Sequence, residues 1–429
     1  MASLPQVAVD TPVMQRPVPS LRTNFKWVLT GNVVYSLCQW AMLSVLAKAG
    51  NTGIVGQFAL GLAVAAPVFM FANLQLRAVQ ATDARREYRF ADYFTLRLLT
   101  TAAGLLVIAG IVLTLRSNSV TTGVILLVAL AKCIECVSDV IGGLLQLHER
   151  LDQVATSLMI RGILSILAFG ATFFITHSLI ACTAAMCLAW LTVLLGYDVR
   201  RAKEVLAPGE PWFHIDWQVA RKLSLLSLPL GFVMMLISLN VNIPRYLLEH
   251  SCGPAELGIF ASLAYLLVAV SLIVNALGQS ATVRLASMFA SRNFDGFRNL
   301  MFKLLAMGGT IMVLALILAS LFGRVALTLL YRPEYGDHVG LFLIMVASAG
   351  VSAIGAFLGY GMTAARCLRV QVPLTAACTV TSAAVTALLV PHYGSIGAAV
   401  GLLASALVFA AGAASLLTAA TRRAWRQLD

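Results

Sequence analysis

Three charged residues lie inside one long apolar stretch of the sequence. Lys132, Glu135 and Asp139 are separated by three and four residues, so a helix would place all three on one face. A charge at the bilayer centre costs at least about 2.5–3.5 kcal/mol, and each such residue therefore requires a partner or a water-filled cavity. If Lys132 pairs with Glu135, Asp139 is left as an excess acid. The pattern predicts either a structural ion pair beside an acid, or a cavity that binds a charged ligand and couples to an ion through Glu135 or Asp139.

Further polar side chains are candidates for the same cavity. Arg161 and Arg245 lie inside or at the end of other apolar stretches, although either could instead extend its head group to the membrane surface. Asn32, Tyr35 and Gln39 recur at spacings of three and four, which predicts a polar stripe that faces a cavity rather than lipid. The expected binding residues are Lys132, Arg161, Arg245, Asn32 and Gln39.

No metal or cofactor site is predicted. Cys133 and Cys136 form a CxxC, but neither a second pair nor a histidine cluster stands at ligand spacing. The sequence contains no Gly-rich phosphate loop followed by lysine and no Ser, His and Asp constellation in a large extramembrane loop. Neither an ATP-driven motor nor an enzyme is therefore expected.

The composition determines which elements must position these residues. Of the 429 residues, 60% are hydrophobic and 11% are charged, and the mean hydropathy is +0.88. A soluble domain is about 45–50% apolar and about 25% charged, so a soluble protein is excluded. The sequence predicts an all-α polytopic membrane protein of about twelve transmembrane helices in two six-helix lobes around a central cavity. The spans are expected near residues 27–47, 54–74, 95–115, 120–147, 155–176, 179–196, 223–243, 257–278, 303–322, 339–362, 372–390 and 395–418.

The polar segments define the predicted domains and orientation. We expect a cytoplasmic tail at 1–26, a first lobe at 27–196, a cytoplasmic linker at 197–222, a second lobe at 223–419 and a cytoplasmic tail at 420–429. Of the 30 Lys and Arg residues, 24 fall on the side of the tails, five on the other side and one inside a span. This bias predicts that both termini are cytoplasmic, and it accounts for the net charge of +12 without a nucleic-acid partner. Segment 77–97 is interpreted as a cytoplasmic loop, either solvated or resting on anionic headgroups.

The two sets of six spans carry a short sequence repeat. Gly56-Gln-Phe-Ala precedes Asn73, and Gly258-Ile-Phe-Ala precedes Asn275, with the same 17-residue spacing from glycine to asparagine. An even number of spans before the linker predicts a parallel repeat and a cavity between its two copies. The alternative is that these glycines only allow close helix packing.

The residues around the first copy resemble a known family. The segment from Gly56-Gln-Phe-Ala to Asn73-Leu-Gln-Leu-Arg77, with Thr82-Asp83, Phe90, Tyr93 and Leu96-Arg97, is similar to bacterial polysaccharide flippases of the Wzx type. That family belongs to the multidrug/oligosaccharidyl-lipid/polysaccharide exporter (MOP) superfamily. The resemblance implies a cavity that opens alternately to each face of the bacterial cytoplasmic (inner) membrane. It implies as cargo an oligosaccharide linked to undecaprenyl pyrophosphate, and as partners membrane lipids, glycosyltransferases and a polysaccharide polymerase.

The expected function is that of a flippase for surface polysaccharide biosynthesis. In this hypothesis Lys132 and Arg161 engage the diphosphate, while Asp139 or Glu135 couples to an ion gradient. A cation-coupled multidrug antiporter of the same superfamily is the alternative, although such a protein should favour acids over cations in its cavity. A membrane polysaccharide polymerase or ligase is less favoured, because the longest outer loop, near 323–338, is short.

Overall fold

The computed structural model describes residues 21–83, 86–114, 118–207, 209–365, 367 and 370–425. Helices make up nearly all of this part of the chain, and no strand occurs within it. The α-helices are α1 (Leu21–Ala49), α2 (Thr52–Ala72), α3 (Leu76–Thr82), α4 (Phe90–Thr114), α5 (Ser119–Leu147), α6 (Leu151–Thr176), α7 (Leu179–Val193), α8 (Val199–Val205), α9 (Trp217–Leu266), α10 (Val268–Ala290), α11 (Phe294–Leu330), α12 (Val339–Ala364) and α13 (Gln371–Trp425). A π-helical turn, Leu194–Asp198, joins α7 to α8, and a 3-10 turn, Pro333–His338, precedes α12.

Nine stretches of the described chain are long and apolar enough to cross a membrane. Two of them, Trp217–Gly278 and Gln371–Arg422, have 62 and 52 residues, more than twice the length that one crossing requires. Each bends at a glycine with positive φ, Gly253 (82°) and Gly394 (52°), a conformation that strains other residues. Helix α5, with 29 residues, is long enough for a further crossing although it carries three charges. Counting each bent stretch twice and adding α5 gives twelve crossings in the described chain. The predicted all-α polytopic membrane fold is confirmed.

Side-chain caps mark where several of these helices begin. The Asn51 side-chain oxygen accepts from the Ile54 N–H at 2.9 Å at the start of α2, and Asn118 accepts from the Thr121 N–H at 2.8 Å at the start of α5. The Asp216 carboxylate accepts two backbone N–H groups at the start of α9. The first N–H groups of a helix have no partner within it, so these caps favour helix starts at these positions.

The two copies of the sequence repeat meet in the structure. A Cβ atom at Gly258 would lie 2.0 Å from the Thr52 carbonyl oxygen. One at Gly56 would lie 1.6 Å from the Pro254 carbonyl oxygen. Because both distances are far below van der Waals contact, any larger residue would push α2 and α9 apart. The repeated glycines thus allow close contact between the N-terminal half (α1–α8) and the C-terminal half (α9–α13), whereas the predicted lobe boundaries stay a prediction.

The two bends define one face of the molecule. A Cβ atom at Gly394 would lie 3.7 Å from Cys252 Sγ, so the bends at Gly253 and Gly394 are neighbours. We call the membrane face at which they lie the kink face. The opposite face carries residues 206–207 and 209–216, between α8 and α9, and we call it the linker face.

Hydrogen bonds join the two halves at the kink face. The Trp40 indole N–H of α1 donates to the Tyr331 hydroxyl at 3.0 Å. The Arg332 guanidinium donates twice to the Lys48 carbonyl oxygen, at 3.0 and 3.1 Å. Together with the glycine contacts, these bonds hold the halves together at this face.

The segment after α2 is not the solvated loop that its charges suggested. Leu74 and Gln75 have positive φ values of 47° and 51°, which break the helix and start α3. Helix α3 packs against α5, with Leu76 and Gln80 buried. The solvated interpretation of 77–97 was therefore wrong for residues 77–82, in α3, and for residues 90–97, which form the buried start of α4. Contact with headgroups remains untested.

The predicted tails lie mostly outside the described residues. The structure does not describe residues 1–20 and 426–429, so the predictions for them lie outside the described residues. Helix α1 begins at Leu21, and α13 continues to Trp425, so each terminal helix extends beyond its predicted span.

Candidate functional site

The first element of the site is the predicted pair of Lys132 and Glu135. Lys132 Nζ lies 2.6 Å from Glu135 Oε2, one turn apart on α5. The two side chains are 27% and 29% exposed although they lie in the middle of a membrane-length helix. Tyr35 of α1 lies beside Glu135, and Gln39, one turn further along α1, lies beside Tyr35. The predicted pairing is confirmed, and Gln39 from the predicted polar stripe lies near it.

A second ion pair lies next to the first. Arg161 Nη2 of α6 lies 3.3 Å from Asp198 Oδ2, and these side chains are only 4% and 3% exposed. The centroid of the Trp190 ring lies 5.8 Å from Lys132 Nζ and 5.7 Å from Arg161 Cζ, within the range at which an aromatic face attracts a cation. Arg161 is therefore held inside the protein and does not extend to the membrane surface.

Asp139 is not the excess acid that the sequence suggested. Its carboxylate oxygens lie 3.3 Å from Arg77 Nη1 and 3.2 Å from Arg97 Nη2. Arg97 is fully buried and also donates to the Asn73 carbonyl oxygen at 2.9 Å. The expectation of an unpaired acid was wrong because the helix break after α2 brings Arg77 against α5. Ion coupling through Asp139 or Glu135 stays a prediction.

Arg245 differs from the cations of the N-terminal half. Its Nη1 donates to the Asn242 side-chain oxygen at 3.1 Å, one turn earlier on α9. No carboxylate of a described residue forms an ion pair with it, and its buried Nε has no hydrogen-bond partner there. Tyr265 lies within electrostatic range of both Arg245 and Lys132. Arg245 therefore lies in the same region between the halves as the two ion pairs.

Asn32 is the predicted binding residue that no described contact brings to this cluster. Its side-chain nitrogen donates to the Val28 carbonyl oxygen at 2.8 Å, within α1. An amide satisfied by its own helix has less capacity for a ligand. Of the predicted set, Lys132, Arg161, Arg245 and Gln39 lie in one region, and the binding roles of all five remain predictions.

Sequence reasoning missed Asp198, Trp190 and Arg97. It counted Arg97 with the segment 77–97, where this overlaps the start of the predicted third span. Asp198 lies two residues beyond the predicted sixth span, and the π-helical turn Leu194–Asp198 ends there. Such turns shift a helix by one residue and are frequent at functional sites, but hydropathy does not reveal them. Arg97 could have been found, because it lies inside the predicted third span and in the segment that carries the family resemblance.

The charges of the site have a simple balance. The Lys132–Glu135 and Arg161–Asp198 pairs are neutral, whereas Asp139 with Arg77 and Arg97 carries one net positive charge. Arg245 adds a further positive charge, and no described carboxylate pairs with it. A guanidinium binds phosphate through two parallel hydrogen bonds, so the arrangement suits an anionic group. Among the described residues, no group of three or more His, Cys, Asp or Glu side chains is placed to hold a metal ion.

The fold and the site define an all-α polytopic membrane protein that gathers charged side chains inside the bilayer. A model of the polysaccharide biosynthesis protein family matches residues 21–290, which is more than half of the chain. The chain therefore belongs to this family, and the resemblance inferred from the sequence is confirmed.

A curated relative and several solved structures are similar over nearly the whole chain. The capsular polysaccharide biosynthesis protein CapF of Staphylococcus aureus is 27% identical over 387 residues, covering 90% of this chain and 96% of CapF. An inward-facing multidrug resistance MATE family transporter of the MOP superfamily superposes with a TM-score of 0.67 at 12% identity, covering 94% of this chain and 96% of that one. A MOP superfamily transporter from Pyrococcus furiosus, described as having a binding pocket of reverse polarity, gives 0.63 at 13% identity, with 92% and 95% covered. An outward-facing MATE transporter gives 0.59 at 12% identity, with 94% and 98% covered. At these identities the structures establish the fold.

Proposed function

We propose that this protein is a flippase that moves an oligosaccharide linked to undecaprenyl pyrophosphate from the inner to the outer leaflet of the bacterial cytoplasmic membrane. The observation that carries the proposal is Arg245, an intramembrane cation without an ion-pair partner among the described residues. Membership of the polysaccharide biosynthesis family and the similarity to CapF support a saccharide cargo. The protein would receive its cargo from glycosyltransferases and deliver it to a polysaccharide polymerase.

The electrostatics of the cargo explain why an uncompensated arginine matters. A diphosphate cannot enter hydrocarbon without losing its hydration, and a guanidinium offsets much of that cost. The sequence analysis expected Lys132 and Arg161 to engage the diphosphate. Each of them instead has a carboxylate within 3.3 Å that already compensates its charge. In the proposed mechanism Arg245 makes the first contact with the diphosphate. The Lys132–Glu135 pair, one-quarter to one-third exposed, remains the candidate for ion coupling.

Alternating access follows from the way in which the halves touch. The glycine contacts and hydrogen bonds at the kink face support an arrangement in which this face is closed. The higher TM-score to the inward-facing transporter, 0.67 against 0.59 for the outward-facing one, supports the same arrangement. In the proposal the kink face is the outer face, in agreement with the Lys and Arg bias, and both termini are cytoplasmic. Transport would exchange contacts at the kink face for contacts at the linker face.

A cation-coupled multidrug antiporter is the second candidate, because several structures with this fold are multidrug transporters. An antiporter that binds a cationic drug requires negative charge that no neighbouring cation compensates. Glu135, Asp139 and Asp198 all have cationic partners in the structure. The charge balance thus favours an anionic cargo over a cationic one.

The test is the membrane sidedness of the lipid-linked oligosaccharide. In spheroplasts of a strain that lacks the gene, we expect the intermediate to accumulate beyond the reach of an externally added lectin. Wild-type protein should restore access and Arg245→Lys should restore part of it, whereas Arg245→Gln should lower the rate by about tenfold or more. Arg324→Gln, at an arginine that is 77% exposed, is the matched control and should behave as wild type. Normal sidedness in the deletion strain with altered drug sensitivity would reject the flippase in favour of the antiporter.

A further inference from the structure

A cavity lies within the C-terminal half, apart from the charged site. Its volume is about 630 Å³, and α9, α10, α12 and α13 form its walls. We call it the C-terminal cavity. This volume lies within the range of about 300–1,000 Å³ that is typical of small-molecule sites.

The lining of the C-terminal cavity is neutral but not apolar. No charged residue and no histidine lines it, and sixteen of its 24 lining residues are apolar or cysteine. The other eight carry hydroxyl or amide groups, and they are Asn240, Ser271, Asn275, Ser348, Ser352, Gln371, Thr375 and Ser405. An ion or a diphosphate would lack a counter-charge here, so the lining favours an uncharged polar occupant.

Several of these polar groups keep unused hydrogen-bonding capacity. The Asn240 side-chain oxygen accepts from Ser405 Oγ at 2.8 Å, and the Asn275 side-chain oxygen accepts from the Tyr360 hydroxyl at 3.0 Å. Both amide groups are thereby oriented, and their nitrogens make no hydrogen bond to a described residue. The hydroxyls of Ser271 and Ser352 are exposed to the cavity and likewise form none within the described chain. A hydrocarbon chain would leave these donors unsatisfied, whereas sugar hydroxyls would pair with them.

The position of the cavity connects it with the charged site. Val241 lines the cavity one turn before Arg245 on α9, and Ala264 lines it immediately before Tyr265. Arg245 and Tyr265 belong to the charged site between the halves. A ligand bound through a phosphate at Arg245 could therefore extend a neutral polar group into the cavity.

We propose that the C-terminal cavity binds the sugar part of the cargo while its diphosphate contacts Arg245. This inference rests on the proposed function and adds to it a saccharide site separate from the charged site. Sugars present hydroxyl groups on their edges and C–H groups on their faces. The mixed lining, with Phe409 and aliphatic residues beside amides and hydroxyls, matches both.

The test compares two cargoes in vesicles that contain the full-length protein. One cargo is the complete lipid-linked repeat unit extracted from the deletion strain, and the other is undecaprenyl diphosphate without a sugar. Ser352→Leu places bulk in the cavity and removes a hydroxyl. We expect it to slow movement of the complete repeat unit by about tenfold while the carrier without sugar moves at nearly the wild-type rate. Ser320→Leu, on an exposed position of α11, is the matched control and should slow neither cargo.

Each outcome decides between defined alternatives. If Ser352→Leu slows both cargoes equally, or slows neither, the cavity does not bind sugar and the inference is rejected while the flippase stands. If wild-type protein moves neither cargo, the proposed function fails and the inference falls with it. Should Ser352→Leu not fold, Ser352→Ala and Ser271→Ala remove hydroxyls without adding volume. These variants should reduce selectivity for the complete repeat unit by about threefold each.

Discussion

The N-terminal and C-terminal halves share a sequence repeat but use polar residues in opposite ways. In the N-terminal half the intramembrane carboxylates Glu135, Asp139 and Asp198 all have cationic partners. In the C-terminal half Arg245 has no ion-pair partner among the described residues, and the neighbouring cavity is lined by neutral groups. The difference indicates that the ion pairs of Asp139 and Asp198 hold the helices of the first half in position, whereas the polar groups of the second half keep capacity for a ligand.

Energetics support this division. Desolvation cancels much of the attraction within a buried ion pair, so such a pair adds little net stability, yet removing one partner is strongly destabilising. The pairs of the N-terminal half link α5 with α3 and α4, and α6 with the π-helical turn. They therefore specify how these helices pack. A ligand site instead requires groups that are oriented but not saturated, as the amides of Asn240 and Asn275 are.

The largest effect is expected where a fully buried charge is removed from the N-terminal half. Arg97→Met should destabilise the protein by about 3–5 kcal/mol, because it takes away one partner of Asp139 and the donor to the Asn73 carbonyl. The thermal unfolding midpoint in detergent measures this loss. Arg77→Met is the matched control, and it should cost less because Arg77 is 33% exposed. Equal midpoints for the two variants would contradict the role assigned to burial.

The next effect concerns the contact between the halves. Gly258→Val would place a Cβ 2.0 Å from the Thr52 carbonyl oxygen and should disfavour the closed kink face by about 1–3 kcal/mol, or about 5–150-fold. Cross-linking of cysteines introduced at Lys48 and Arg332, in a protein without its natural cysteines, measures this closure. Gly309→Val is the control, since a Cβ there has no neighbour within 4 Å. Unchanged cross-linking in Gly258→Val would show that this glycine contact does not govern closure.

A third prediction asks whether the Lys132–Glu135 pair is purely structural. Lys132→Gln leaves Glu135 without its partner, and the double variant with Glu135→Gln removes both charges. We expect the double variant to regain unfolding stability, with a coupling energy of about 0.5–3 kcal/mol, but not transport, because Glu135 is the candidate coupling residue. If the double variant regained transport as well as stability, Glu135 would have no role in ion coupling and the pair would be purely structural.

The smallest effect is expected for an ion pair at the surface. Arg324 and Asp337 are 3.4 Å apart, but their side chains are 77% and 73% exposed. Arg324→Ala should change the free energy of unfolding by less than about 1 kcal/mol and leave transport unchanged. A larger loss of stability would mean that an exposed ion pair contributes to the free energy of unfolding of this protein as a buried one does.

The sequence predicts the fold better than it predicts the site. Apolar runs report crossings directly, and even the bends at Gly253 and Gly394 fall between predicted spans. The Lys132–Glu135 pair was predictable because its spacing of three residues is local. The other pairs depend on how separate helices pack, because they join residues 37, 42 and 62 positions apart: Arg161 with Asp198, Arg97 with Asp139, and Arg77 with Asp139. Helix packing is not encoded in a hydropathy profile, so Asp139 was taken for an unpaired acid.

The buried contact between Arg97 and Asp139 has a consequence for biosynthesis. Arg97 is on α4, and its carboxylate partner is synthesised 42 residues later, on α5. A nascent chain that ends before Asp139 therefore carries an intramembrane arginine without its counter-ion, and it keeps that arginine in the headgroup region. Helix α4 can reach its final depth only after α5 has followed it out of the translocation machinery. The two helices thus enter the bilayer as a unit, although α4 is apolar and long enough to be inserted alone.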